Sequence, residues 1–135
     1  MPPSNREPSI SLINKLLEMA KHSGAVEADV FYVDDLSLTA SCRLGKTETI
    51  ERSEGKEIGL RLLIGQKQAI VSTSDMTNAA FKELVERAKS MALAVPEDPY
   101  CGLLEPQLLS NNWPNLDLAD PEEPKVELLI DWAQR

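Results

Sequence analysis

The sequence predicts an α+β fold: an antiparallel sheet of about five meander strands, two main helices packed on it, and a further C-terminal helix. Three observations predict it. Between residues 28 and 72 apolar residues alternate at period two, in short runs broken by Gly45, Gly55 and Gly65. The links at those glycines are too short for the crossover of a dozen or more residues that parallel strands need. On both sides of this region apolar residues recur at helical spacing.

Residues 1–8 carry three prolines and no periodicity, and are expected to form a disordered lead-in. Ser9 is then a candidate helix cap. Ile10, Ile13, Leu16, Leu17 and Ala20 make one apolar stripe, and Gly24 offers the left-handed residue that closes a helix. Residues 28–34 read as a strand that is apolar on both faces at Val30, Phe31, Tyr32 and Val33. Residues 36–44 alternate: Leu36, Leu38, Ala40, Cys42 and Leu44 point to a core, and Ser37, Thr39, Ser41 and Arg43 to water. After a turn at Gly45-Lys46, residues 47–53 are strand-like but polar. Ile50 is their only large apolar residue, which suits a sheet edge, where charge discourages aggregation. Gly55 marks the next turn. Ile58, Leu60, Leu62 and Ile64 form the fourth strand, Gly65-Gln66-Lys67 turns the chain, and residues 68–72 return as the fifth.

The second helix carries Phe81, Leu84, Val85, Ala88, Ala92 and Val95 on one stripe, with Lys82, Glu83, Glu86, Arg87 and Lys89 opposite. Thr77 is its expected cap, with Met76 and Phe81 at the spacing of a hydrophobic staple. Glu83 and Arg87 are placed for an i,i+4 ion pair, and Pro96 stops the helix. Residues 96–121 are rich in proline and read as a loop. A third helix is expected to start near Pro124, with Val126, Leu129, Ile130 and Ala133 on one face. It reaches Arg135 without a stop signal, which predicts a fragment boundary there. The expected organisation is a domain over residues 9–104, followed by a linker and the start of a helix over residues 105–135.

The apolar fraction is 42% and the charged fraction 27%, ordinary for one globular domain. With two each of Trp, Tyr and Phe, the core must be built from Leu, Ile and Val. The 22 acids outnumber the 14 bases, for a net charge of −8. That balance argues against nonspecific nucleic-acid binding and against anionic membrane surfaces, both of which depend on Lys and Arg. No apolar run reaches the length of a membrane span, and MPPSNREP contains no hydrophobic signal region. Cys42 and Cys101 form no C-x-x-C pair, so free thiols in a reducing, cytoplasmic compartment are expected.

No catalytic constellation emerges from the residues. Gly59, Gly65 and Lys67 lack the spacing and the strand–loop–helix setting of a phosphate loop. His22 is the only histidine, too few for a zinc site of three or four ligands, and suits a helix C-terminus. Glu48, Glu51, Glu54 and Glu57 recur every three residues, so successive members point to opposite faces of a strand. Asp117, Asp120, Glu122 and Glu123 lack the glycine and spacing of a calcium loop. Ser72 and Ser74 have no G-x-S-x-G context and read as a strand-to-helix corner. The sequence reading therefore assigns no catalytic, cofactor-binding or metal-binding residue.

The segment ETIERSEGKEIGLRLLIGQKQAIVSTSD, then FKELVERAKSMA and PEDPYCGL, with GAVEADVFYV ahead of them, resembles the N-terminal domain of the TldD/PmbA family, also called modulator of DNA gyrase. The resemblance spans about residues 12–104 and lies nearer the PmbA (TldE) branch. It implies a cytoplasmic bacterial or archaeal parent several times longer than this chain. It also implies TldD-type and PmbA-type subunits assembled into a metallopeptidase that acts on unfolded or precursor peptides. The zinc motif of that family, H-E-x-x-x-H, belongs to the TldD-type subunit, and this chain contains no such motif. The expected function is thus a non-catalytic structural or assembly domain. Its expected partners are the rest of its own subunit and a TldD-type partner or a second copy, with zinc in that partner. A different reading of the same residues is a free-standing peptide- or protein-binding module that uses an exposed sheet edge near residues 47–53.

Overall fold

The computed structural model describes residues 6–25, 27–112, 114–118, 120 and 122–135. Three strands, β1 (Glu27–Arg43), β2 (Lys46–Ile64) and β3 (Lys67–Thr73), form an antiparallel meander in the order β1-β2-β3. Three helices accompany them: α1 (Arg6–His22), α2 (Asn78–Ala94) and α3 (Val126–Gln134). The class is therefore α+β, but the five expected strands are three. Two expected breaks do not turn. Asp34 lies opposite Lys56 and Asp35 opposite Gly55, so the polar interruption of β1 is matched by that of β2. A Lys56 Nζ–Asp34 Oδ2 ion pair of 3.6 Å spans it. Two polar breaks that face each other leave the backbone ladder intact, because the ladder uses N–H and C=O groups that every non-proline residue carries.

The true turns are tight. Leu44 (φ 51°) and Gly45 (φ 74°) are both left-handed, as a two-residue hairpin that follows strand twist demands. The turn therefore starts one residue before the expected Gly45-Lys46. The second hairpin places Gly65 at φ 59°. Near the first turn the pairing shifts between Ser41 and Cys42, leaving Glu48 as the extra residue of a bulge in β2.

Because strand side chains alternate, the sheet has two unlike faces. Ile58, Leu60 and Leu62 of β2, with Ala69 and Val71 of β3, point inward and are buried. Val30 and Tyr32 of β1 pack beside them. α1 and α2 close this core with Leu16, Ala20, Phe81, Leu84, Val85, Ala88 and Ala92. Each fully buried Leu, Ile or Phe contributes about 1.5–3 kcal/mol.

α2 follows its expected stripe, except that Val95 is its exposed C-cap. Thr77 caps it: the Ala80 N–H donates to Thr77 Oγ1 at 3.3 Å. Met76 packs against the core, as a staple residue should. No ion pair joins Glu83 and Arg87 among the described residues.

α1 departs from its expected start and stripe. It already includes Arg6, Glu7 and Pro8, which the sequence assigns to the lead-in. A proline in the first turn is tolerated because the N–H it lacks has no helical partner there. Residues 1–5 of that lead-in lie outside the described residues, as does Pro121. Leu12, Leu16, Met19 and Ala20 face the core, while Ile10 is 53% exposed.

β1 and β2 run on past the end of β3 as a two-stranded ribbon. α3 packs chiefly against β1. Its Val126, Leu129 and Ile130 are half-buried, as are Leu38, Ala40, Ser41 and Cys42, whereas Ser37 and Thr39 are exposed. Leu36 and Leu44, expected on the core side, are 43% and 95% exposed: Leu36 lies at the polar junction and Leu44 in the turn. Among the described residues from 96 to 125 there is one short 3-10 turn, Pro106–Leu108, and Arg52 forms an ion pair of 2.9 Å with Glu123.

Candidate functional site

The helices leave the outer face of the sheet partly uncovered. At its near end the segment after α2 folds across it. The Asp98 N–H donates to the Gln66 carbonyl at 2.7 Å, and the Leu103 N–H donates to Glu27 Oε2 at 3.3 Å. Under that end Leu63 is only 1% exposed although it points away from the helices. Beyond it the face is open. Phe31, Val33 and Ile70 are 51%, 44% and 61% exposed. Gly59 lies opposite both Phe31 and Ser72 in the ladder. A β-carbon built on Gly59 would sit 2.1 Å from Phe31 Cε1, so the ring lies down over the strand. Glycine leaves room for that close approach. Beside this apolar surface Arg61 donates two bonds to Asp29, Nε to Oδ1 at 2.9 Å and Nη2 to Oδ2 at 2.6 Å. That pairing holds Arg61 above its ordinary range.

The outer face ends at a cleft where β3 leaves the sheet. Asp35, Lys56, Glu57, Ser72, Ser74 and Arg87 contribute to its walls. The corner itself is held by local polar contacts. The Asp75 N–H donates to Thr73 Oγ1 at 3.1 Å, and the Thr77 N–H donates to Asp75 Oδ1 at 2.8 Å. The Thr77 N–H, with a second bond from the Thr77 hydroxyl, lowers the Asp75 carboxyl below its ordinary range. A corner ordered in this way fixes the start of α2 and thus the position of Arg87.

The residues weighed from sequence fall as follows. Glu48 lies 3.6 Å from Arg43, and Glu54 2.9 Å from Arg52. Glu51 and Glu57 stand on the outer face and have no ion-pair partner among the described residues. Gly59 is the packing glycine, Gly65 the hairpin glycine, and Lys67 Nζ donates to the Leu93 carbonyl near the end of α2. His22 is exposed and its Nδ1 meets the Glu18 carbonyl at 2.6 Å, at the end of α1. Ser72 and Ser74 line the cleft, while His22 lies in a different depression with Met19, Lys82 and Glu86. The Glu122 N–H donates to Asp120 Oδ1 and Glu123 binds Arg52. Among the described residues no three His, Cys, Asp or Glu side chains gather as a metal site would require. Cys42 and Cys101 are free and half-buried.

Sequence reading missed the exposed apolar face and the cleft. The first was hidden because the run from Val30 to Val33 does not reveal that only one side of it is buried. The second joins residues from three strands and a helix, which no local pattern brings together.

The comparisons with known proteins agree on one group. Residues 28–92 match the family described as PmbA/TldA metallopeptidase domain 1. The chain is 31% identical over 117 residues to "Metalloprotease PmbA homolog" of Haemophilus influenzae, covering 87% of this chain and 26% of that protein. It is 27% identical over 124 residues to "Metalloprotease PmbA" of Escherichia coli O157:H7, covering 91% of this chain and 27% of that protein. It thus spans about a quarter of the length of the curated relatives it matches. The crystal structure of TldE from Thermococcus kodakarensis has the same fold, with a TM-score of 0.71 at 18% identity, over 91% of this chain and 27% of that one. Residues 28–92 thus match the first domain of the PmbA/TldA metallopeptidase family, and the curated relatives that the chain resembles are PmbA proteins.

Proposed function

We propose that this domain is a non-catalytic assembly domain of a cytoplasmic PmbA-like subunit. It serves a TldD/PmbA-type metallopeptidase system that acts on unfolded or precursor peptides. The observation that carries the reading is the contrast between the sheet faces: helices bury one, while the other presents Phe31, Val33 and Ile70. Exposed apolar patches of this kind mark surfaces that meet another protein surface. In this reading the outer face docks against the remainder of a full-length PmbA-type subunit and its TldD-type partner. Zinc sits in that partner, and the chemistry is done there. No helix among the described residues is long and apolar enough to cross a membrane. The acidic net charge gives nucleic acid no counterpart.

The test is binding of the 135-residue chain to the TldD-type subunit of the same source, followed by calorimetry. Phe31→Glu and Ile70→Glu are expected to weaken binding at least about tenfold, the loss of roughly 1.4 kcal/mol. Their melting temperatures should stay within a few degrees of the parent. Metal analysis should find zinc with the partner. Binding that ignores both substitutions would remove the outer face from the interface, and stoichiometric zinc in this chain would remove the non-catalytic reading.

A further inference from the structure

The sheet is built unequally, and the inequality leaves a vacant strand position. β3 pairs with β2 only from Ile58 to Ile64, while β1 pairs with β2 as far as Lys46. On the β3 side, residues 46–57 of β2 therefore have no backbone partner among the described residues, and all twelve are exposed. Their outward N–H and C=O groups form an open template for an added strand. The template has ends. It starts at the cleft where β3 departs at Thr73, and regular pairing stops at the bulge of Glu48. α3 does not fill the vacancy, since it packs chiefly on β1, across the ribbon from that edge.

Charge selects the occupant. On the inner face Arg52 is engaged by Glu54 and Glu123, and Lys56 by Asp34. On the outer face Glu51 and Glu57 border the vacant position without an ion-pair partner among the described residues, and Asp35 stands beside them opposite Gly55. Two bases line the cleft, Lys56, which Asp34 engages, and Arg87 of α2. A second copy would bring another net charge of −8 to the same edge, which opposes self-pairing. We infer that β2 residues 49–57 accept an extended peptide in trans, paired antiparallel in the position that β3 vacates, with basic side chains at alternate positions facing Glu51 and Glu57. Such a strand begins opposite Glu57 and runs toward the bulge. This stands apart from the docking of the outer face, because it uses the backbone edge and two carboxylates rather than Phe31, Val33 and Ile70.

The test is a nuclear magnetic resonance titration of the full chain with three ten-residue probes. These are an alternating Lys-Thr peptide, an alternating Glu-Thr peptide, and the Lys-Thr peptide with proline at its two central positions. Amides of residues 49–57 should shift with the Lys-Thr peptide and gain protection from exchange. The Glu-Thr peptide should bind more weakly, and the proline peptide should lose binding because it cannot complete the ladder. Glu51→Lys with Glu57→Lys should weaken the Lys-Thr peptide about fivefold and reverse the charge preference. Equal binding of the proline peptide, shifts confined to other surfaces, indifference to the double charge reversal, or concentration-dependent self-association protecting the same amides would each overturn the inference.

Discussion

The two halves of the sheet are built from the same strands and held by different forces. In the near half, β2 has neighbours on both sides and two helices below. Ile58, Leu60 and Leu62 are wholly buried. In the far half, β2 has one neighbour, all its residues from 46 to 57 are exposed, and the links are ion pairs such as Arg43–Glu48 and Arg52–Glu123 and the half-buried contact of α3 with β1. Exposed ion pairs are worth about 0–1 kcal/mol each, against about 1.5–3 kcal/mol for each buried apolar side chain. The difference teaches that strand continuity does not imply uniform stability. The near half supplies the folding energy, and the far half is carried by it as an exposed ribbon.

The largest test of that contrast is truncation. Phe81→Ala should cost about 3–5 kcal/mol in urea unfolding, since it empties a fully buried site. Ile50→Ala, in the far half, should cost less than about 0.5 kcal/mol, as surface substitutions do. Similar losses at both sites would break the comparison.

A finer test lies where the halves meet. Gly59→Ala would drive a methyl into the Phe31 ring, and because Phe31 is half-exposed the ring can swing away. The expected cost is about 1 kcal/mol. In a Phe31→Ala background that cost should vanish, so a double-mutant cycle measures the contact.

The fold was legible where periodicity and packing agree. The stripe of α2, its Thr77 cap, the alternation of β2 from Ile58 to Ile64 and the antiparallel meander all emerged from local pattern. What failed was the reading of polar residues as breaks. Asp34-Asp35 and Gly55 look like turns in a single strand, and only the partner strand shows that they lie side by side. The stripe of α1 was misjudged by a fraction of a turn, because Ile10 and Leu12 are equally apolar and tertiary contact chooses between them. The candidate site was not legible at all, since its apolar face and its cleft exist only once three strands and α2 are assembled.

Smaller effects sharpen the picture of the ribbon. Leu44 is held at φ 51°, a conformation that costs a branched-chain residue about 1 kcal/mol and that asparagine adopts readily. Leu44→Asn should therefore stabilise the protein by about 0.5–1 kcal/mol, read as a rise in melting temperature.

Asp75 provides the pH test at the corner. Its folded carboxyl lies below the ordinary range because Thr77 donates to it. A group with a lowered folded value adds stability above the ordinary carboxylate range, and that contribution is lost as pH falls through the lowered value. Asp75→Asn should thus lower stability slightly at neutral pH and leave it closer to the parent in acid. An Asp75 carboxyl that titrates in the ordinary range would contradict the corner geometry.

Native-state hydrogen exchange tests the central claim most directly. The account predicts that ladder amides of residues 58–64 exchange only through global unfolding, while amides of residues 46–57 that face the vacant strand position exchange at nearly unprotected rates. Protection of residues 46–57 equal to that of residues 58–64, in the isolated chain at low concentration, would contradict it.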